Sequence, residues 1–188
     1  MLYLNFFPFP TLITERLRLR QLDLPDENEI FILRSDENVN KYLDRPRASS
    51  ISDAREFINK INAGITRNES IFWVITTSQN NELIGTICLW NISIENSCAE
   101  IGFELLPCFQ GKGIMQEALT SIINFGFDNM KLQAIEGYVH KDNNRSIKLL
   151  EKNSFIKDIN FDHKKIGQPE LENMVVYRLN AAIPGNFI

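Results

Sequence analysis

The chain has 188 residues, of which 44% are hydrophobic and 23% are charged, and its formal net charge is −4. These values are typical of a soluble globular protein, and a mildly acidic chain lacks the overall positive field that favours nucleic acid or anionic membranes. No apolar run approaches the roughly 18 residues that a membrane-spanning helix requires. We therefore expect a single cytoplasmic domain over residues 1–188, with neither a nucleic-acid nor a membrane partner.

The N-terminal segment MLYLNFFPFP is apolar, but it has no basic start and contains two prolines. An extended arm over residues 1–10 is therefore expected rather than a secretory signal. Cys88, Cys98 and Cys108 are odd in number and widely spaced, and the chain has only two histidines. This pattern favours free thiols in a reducing compartment and predicts no metal site.

Hydrophobic periodicity and turn residues predict strands and helices along the whole chain. In chain order, the predicted elements are a strand (11–22), a helical segment (25–46), a helix (52–64), three strands (71–77, 83–92 and 98–106), a helix (113–130), a strand (134–139), a helix (144–152) and two strands (155–161 and 173–179). No internal repeat or linker interrupts this order, which indicates one α/β domain.

Residues 109–118 read FQGKGIMQEA, so two glycines flank one lysine immediately before the long predicted helix. A helix N-terminus exposes unpaired N–H groups, and glycines let the backbone close around an anion, so the stretch predicts phosphate binding. A Walker A loop is excluded because Gly113, rather than Ser or Thr, follows Lys112. A dinucleotide loop is excluded because its third small residue is missing and no βαβ unit opens the chain.

The remaining pattern is Gln/Arg-x-x-Gly-x-Gly/Ala, which the run from Gln110 to Met115 follows up to its last position. In this loop the sequence resembles the GNAT superfamily of acyl-CoA N-acyltransferases, in particular its RimJ/RimL-like branch of ribosomal-protein N-acetyltransferases. Three further segments resemble the opening strand, the central strand and the NxxS helix of that branch, namely LITERLRLR at 12–20, AEIGF at 99–103 and NNRSIKLLEK at 143–152. Ser154 stands where that helix usually ends on glycine.

The resemblance implies a GNAT-like α/β domain with a mixed, mostly antiparallel sheet of about seven strands and about four flanking helices. Its fourth and fifth strands, here residues 98–106 and 134–139, would splay so that the pantetheine of acetyl-CoA pairs with strand backbone. Acetyl-CoA would be the co-substrate, and the acceptor would be a protein N-terminus or a small-molecule amine. The implied cofactor-binding residues are Phe103, Leu105, Gln110, Gly111, Lys112, Gly113, Ile114, Met115, Asn143 and Ser146.

Acyl transfer to an amine requires the uncharged amine, so a catalytic base is expected. Glu100 matches the acidic position of the central strand where several GNAT enzymes carry a water-relaying base, and Glu104, on the same face, is the reserve. The tyrosine acid of other GNAT branches would fall at Leu150, so the resemblance leaves three alternatives at the departing thiolate: Ser146 donates to it, water does, or no acid is needed. The structural alternatives are that Glu100 and Glu104 are solvated carboxylates of the strand without a catalytic role, and that Asn143 only caps the helix.

Other classes of function stay open from the sequence alone. A catalytically inactive acyl-CoA-binding module would keep the loop without turnover, and a nucleotide-binding protein would use it for ATP or NAD. Tyr42, Trp73 and Trp90 are candidates to line an acceptor pocket, although aromatic residues at such spacing are more often part of the core. The sequence allows a homodimer without specifying one.

Overall fold

The computed structural model describes residues 1–161 and 171–182. The described residues form an eight-stranded sheet in the order β1-β2-β3-β4-β5-β6-β8-β7. The strands are β1 (Leu12–Ile13), β2 (Leu17–Gln21), β3 (Ile71–Thr77), β4 (Gly85–Ser93), β5 (Cys98–Leu105), β6 (Ala134–His140), β7 (Ile156–Lys157) and β8 (Met174–Asn180). The helices are α1 (Glu27–Ser35), α2 (Glu37–Asn40), α3 (Ile51–Thr66), α4 (Ile114–Asn124) and α5 (Asn144–Lys152).

The mixed, mostly antiparallel sheet of the expected α/β fold is confirmed. All strand pairings are antiparallel except the one between β5 and β6, which is parallel. That parallel pairing includes only three registered residue pairs, from Cys98 with Ala134 to Glu100 with Glu136, and then stops. The expected splay therefore lies between β5 and β6.

The predicted first strand, residues 11–22, is two strands joined by a tight turn. Thr14 N–H donates to Leu17 O at 3.0 Å, and Leu12 pairs with Leu19 across the hairpin. The turn residues Thr14, Glu15 and Arg16 include neither glycine, proline, asparagine nor aspartate, so no turn signal separates the two strands in the sequence.

Two other predicted elements are shorter in the structure. The long helix expected to reach Met130 ends at Asn124 and continues as a π-helical turn over Phe125–Asn129. A side chain at Gly126 would lie only 3.0 Å from Ile135 Cδ1, so this turn packs closely on the sheet. The strand expected over 155–161 is confined to β7, and both Ile156 and Ile159 are exposed.

The two faces of the sheet pack against different helices. On one face, Trp73 is fully buried and meets Phe125 in an edge-to-face contact of 5.2 Å, while Leu150 of α5 lies against Gly137. On the other face, Phe72 meets Phe57 of α3 at 5.7 Å. Glu100 and Glu104 are on this second face, since side chains alternate along β5.

The N-terminal arm contains neither helix nor strand. It is tied to the body by backbone and side-chain contacts: Tyr3 N–H donates to Met130 O at 2.9 Å, and Trp73 Nε1 donates to Pro10 O at 2.8 Å. No helix within the described ranges 1–161 and 171–182 has the length and apolar character needed to cross a membrane.

Helix α5 ends in a Schellman motif built on a serine. Ser154 N–H donates to Glu151 O at 3.0 Å, and Phe155 N–H donates to Leu150 O at 3.1 Å. Ser154 has φ +65°, the left-handed conformation for which glycine is preferred. The serine thus keeps the capping geometry of the expected glycine at an energetic cost.

Ser154→Gly should raise the free energy of unfolding by about 0.5–1 kcal/mol, because glycine relieves the left-handed strain and loses part of that gain to its greater freedom when unfolded. The matched control is Ser121→Gly inside α4, which should lower stability by about 0.5 kcal/mol. Urea denaturation of both variants measures this difference. If both substitutions changed the free energy of unfolding in the same direction, the inferred strain at Ser154 would be contradicted.

Candidate active site

The loop before α4 has the geometry of an anion cradle. Gly111 and Gly113 both have φ +74°, and Gly113 is the N-cap of α4 without any side-chain cap on the first turn. A side chain added at Gly111 would meet nothing within 4 Å. The first N–H groups of α4 therefore keep their hydrogen-bonding capacity beside open space, as phosphate binding at a helix start requires.

The side chains of the loop divide between exposed and buried positions. Lys112 is exposed, and its ammonium lies 5.6 Å from the centroid of the Phe109 ring. Ile114 and Met115 are buried in the core, so only their backbone N–H groups face outwards from the helix start. The loop thus combines the cation of Lys112, which has no ion-pair partner within residues 1–161 and 171–182, with a row of backbone donors.

An ion pair from the β1–β2 hairpin holds this loop in place. The Arg16 guanidinium donates to Lys112 O at 3.0 Å and to Glu117 Oε2 at 2.6 Å. Glu117 Oε1 also accepts from Thr14 Oγ1 at 2.5 Å and from Arg16 N–H at 2.9 Å. Burial raises the pKa of Glu117, but the hydrogen bonds from Thr14 and Arg16 outweigh it and lower the pKa overall. Sequence reasoning missed these residues because the partners are about 100 positions apart.

Gln110, a predicted cofactor-binding residue, connects the end of β5 to the start of α5. Its Nε2 donates to Leu105 O at 2.9 Å, and its Oε1 accepts from Arg145 Nη1 at 2.8 Å. Both ends of the Gln110 amide are therefore used within the protein. Gln110 fixes the loop relative to the strands that part.

Among the described residues, no register pair joins β5 to β6 beyond Glu100, so the donors farther along β5 that face β6 have no partner strand there. Leu106 N–H bonds to Ile84 O beside β4, whereas Ser97 O accepts from Gln133 N–H on the β6 side. Because successive peptide groups alternate in direction, the N–H groups of Phe103 and Leu105 point into the gap. Both predicted residues thus offer backbone donors to the space between β5 and β6.

Glu100 is half-buried at the last paired position of β5, opposite Trp90 of β4 and Glu136 of β6. Burial raises its pKa to about 7; the Asn91 side chain lowers it, and the Glu136 charge raises it further. None of the ion pairs among the described residues includes Glu100. A carboxyl group with this pKa exchanges protons near neutral pH, which suits a general base.

Glu104 has different surroundings although it lies on the same face of the same strand. Its Oε1 accepts from Arg45 Nη1 at 2.6 Å, and Arg45 is held in turn by two hydrogen bonds to Asn40 Oδ1, at 2.8 and 3.0 Å. Asn40 is buried and donates to Leu33 O at 3.2 Å. The Glu104 charge is thus neutralised by an anchored arginine.

The residues predicted on α5 lie at its start. Asn143 is the N-cap, and its Oδ1 accepts from Ser146 N–H at 3.2 Å, so the capping alternative is observed. Ser146 is half-buried, and its hydroxyl has no hydrogen-bond partner among residues 1–161 and 171–182. Leu150 is fully buried, so its position is part of the core.

The segment between α2 and α3 crosses the end of the sheet where the strands part. Arg45 contacts Glu104 of β5, and the Tyr42 ring lies 5.3 Å from the ring of His140, the last residue of β6. Of the candidate pocket aromatics, Trp73 belongs to the core, whereas Trp90 is 46% exposed beside Glu100. Tyr42 and Trp90 thus remain near the site, and Trp73 does not.

A family model and a curated relative that match this chain both belong to the acetyltransferases. A model of the acetyltransferase (GNAT) domain matches residues 16–156. The chain is 37% identical over 148 residues to the uncharacterized N-acetyltransferase p20 of Bacillus licheniformis, a match that covers 79% of this chain and 83% of the relative.

Two solved structures have a similar fold. The ribosomal-protein-S5-alanine acetyltransferase from Vibrio fischeri has a TM-score of 0.76 at 19% identity, over 91% of this chain and 96% of that one. The microcin C7 self immunity acetyltransferase MccE, solved with acetyl-CoA and AMP, has a TM-score of 0.74 at 20% identity, over 89% and 94%. At such identities the likeness shows the fold alone.

The chain belongs to the GNAT acetyltransferase family. It is accordingly an acyl-CoA-dependent N-acetyltransferase. Acetyltransferases of this family use acetyl-CoA.

Glu100→Gln should stabilise the protein at about pH 8 but not at about pH 5. In the folded protein the pKa of Glu100 is about 7, above its ordinary value of 4.5. The carboxyl group therefore makes its full contribution to stability below pH 4.5 and loses it as the pH rises through 7. Glutamine cannot ionise, so it escapes the loss. Thermal unfolding midpoints at both pH values measure the effect. The control is Glu69→Gln, an exposed residue paired with Arg67, which should not gain stability at the higher pH.

Proposed function

We propose that this enzyme transfers the acetyl group of acetyl-CoA to a primary amine by direct attack within a ternary complex. The observation that carries the proposal is the parting of β5 and β6 beside Glu100, next to a glycine loop that opens α4. The acceptor is a protein N-terminus or a small-molecule amine.

The diphosphate of acetyl-CoA would rest on the loop, where Gly111, Gly113 and the first turn of α4 supply backbone donors and Lys112 supplies a positive charge. The Arg16–Glu117 pair supports this assignment, because it neutralises a carboxylate in the first turn of α4 that would otherwise repel phosphate. Pantetheine would then enter the gap and pair with the free edge of β5 as an added strand.

The acceptor ammonium must lose two protons in the reaction, and the C–S bond of the thioester is exchanged for a C–N bond. Glu100, directly or through a water molecule, would accept the first proton of the acceptor ammonium, and the amine nitrogen would attack the thioester carbonyl. One backbone N–H of the stretch from Phe103 to Leu105 would stabilise the oxyanion as a single-donor site. The C–S bond then breaks as the amide forms, and the second proton of the nitrogen passes to the leaving thiolate, which departs as the thiol of CoA. The Ser146 hydroxyl would donate a hydrogen bond to this sulfur as it leaves. Asn143 would orient Ser146 by capping α5.

The pKa of Glu100 favours one class of acceptor. An α-amine has a pKa of roughly 7.7 to 8, whereas a lysine side chain has a pKa near 10.4. A base with a pKa of about 7 is closely matched to the first and about three units short of the second. We therefore favour α-amines, such as a protein N-terminus, over lysine side chains.

A thiol-release assay of acetyl-CoA with peptides, polyamines and amino acids tests this function. Peptides with a free α-amine should release thiol, whereas matched peptides with a blocked N-terminus and a free lysine should release much less. Glu100→Gln should lower turnover by roughly 10²-fold, because proton removal is lost while acetyl-CoA binding is retained. Tight binding without thiol release for any acceptor would indicate an inactive acyl-CoA-binding module, and displacement of CoA by micromolar ATP or NAD would indicate a nucleotide-binding protein.

Gly111→Asp should weaken acetyl-CoA binding by more than about tenfold, since it places a carboxylate against the diphosphate. The control is Gly111→Ala, which shares the strain of a side chain at φ +74° with the aspartate variant but adds no charge where nothing lies within 4 Å, so it should bind acetyl-CoA clearly more tightly than Gly111→Asp. Isothermal titration calorimetry measures both variants, and circular dichroism checks their fold. Equal affinities for Gly111→Asp and the wild type would contradict the loop assignment.

A further inference from the structure

Four side chains form a row across neighbouring strands at the point where the sheet opens. Trp90 of β4 is the register partner of Glu100 of β5, Glu100 is the partner of Glu136 of β6, and Glu136 is the partner of Arg178 of β8. Register partners project from the same face, with Cα atoms about 5 Å apart. Two carboxylates therefore stand side by side at the last paired position before the gap.

The charges in this row are unbalanced. Arg178 Nη1 donates to Glu136 Oε1, and Arg178 Nε is fixed by Asn180 Oδ1 at 3.0 Å. The Glu136 side chain is only 20% exposed, so this arginine is its main source of neutralisation. Glu100 stands beside the pair without a cationic partner of its own in the described part of the chain.

We propose that Arg178 is a positioning residue that acts through Glu136: by neutralising Glu136, it allows Glu100 to lose its proton beside a second carboxylate and so to work as the base. This inference rests on the proposed role of Glu100. Without Arg178, ionised Glu136 would oppose a second negative charge on the neighbouring strand. Without Glu136, that opposition would disappear and Arg178 would be left to attract Glu100.

Other groups near Glu100 are less suited to set its charge. On β4, Asn91 is neutral, and burial raises the pKa of Cys88 to about 12. On β6, burial followed by Glu136 raises the pKa of Tyr138 to about 12.

The remaining groups on this face have partners elsewhere or stay protonated. On β5, Glu104 is paired with Arg45, and burial raises the pKa of Cys98. Farther along β6, His140 lies against Tyr42. Among the described residues on this face, Glu136 and Arg178 are thus the charged neighbours in direct register with the base.

The test is the pH profile of kcat/KM, whose acid limb reports the base in the free enzyme. Arg178→Gln should raise the pH of this limb by about one unit, and Glu136→Gln should lower it by about one unit. Arg178→Lys keeps the charge and should restore a profile close to that of the wild type. The matched controls are Arg67→Gln and Glu69→Gln, which make the same charge changes in an exposed pair and should leave the limb unmoved.

A second readout does not depend on turnover. Carboxyl carbon NMR of the ligand-free protein follows the titration of Glu100, with the signal assigned by its loss in Glu100→Gln. If the Glu100 titration shifts in opposite directions in Arg178→Gln and Glu136→Gln, the inference is supported. If the acid limb of kcat/KM then does not move with it, Glu100 is not the base, although Arg178 and Glu136 still set its ionisation. Shifts in the same direction, or no shifts while both variants merely melt earlier, would overturn the inference.

Discussion

The site depends on the early end of the pairing between β5 and β6. Each strand keeps its antiparallel partner beyond that point: β5 stays registered with β4 as far as Leu105, and β6 stays registered with β8 as far as His140. The gap is therefore a fixed feature of the sheet, because only the parallel ladder is missing. An unpaired edge exposes backbone donors and acceptors that another extended segment can satisfy. Gln110 Nε2 already satisfies one of them, Leu105 O, at the far end of the gap.

In the proposed assignment, the glycine loop keeps the start of α4 free for an anion. An acidic residue in the first turn of a helix usually stabilises it through the helix dipole, but the same charge would compete with a bound phosphate. In α4 this residue is Glu117, and Thr14 and Arg16 satisfy its carboxylate from the N-terminal hairpin. Arg16 also holds Lys112 O, so one guanidinium fixes both the backbone of the loop and the charge behind it.

Local sequence signals predicted the elements that are defined locally. The strand over 71–77 and the helix over 144–152 agree with β3 and α5 residue for residue, because each carries a continuous pattern bounded by clear turns. The hairpin at Thr14 was missed because its turn, Thr14 to Arg16, contains no glycine, proline, asparagine or aspartate to mark it. The partners of the site, such as Arg45 and Arg178, could not be predicted, since they meet the site only through strand register and tertiary contact.

Glu100 and Glu104 show why environment assigns roles that composition cannot. They share one strand and one face, yet the arginine of the α2–α3 segment neutralises Glu104, whereas Glu100 faces Glu136 on the neighbouring strand. The parallel pairing that brings the two carboxylates together ends immediately after them. The same feature that opens the sheet thus places a carboxyl group with a raised pKa at the opening, and ionising that group opposes folding. The ionised state in which we propose that Glu100 acts as the base is accordingly the less stable one, and the rest of the sheet must hold it in place.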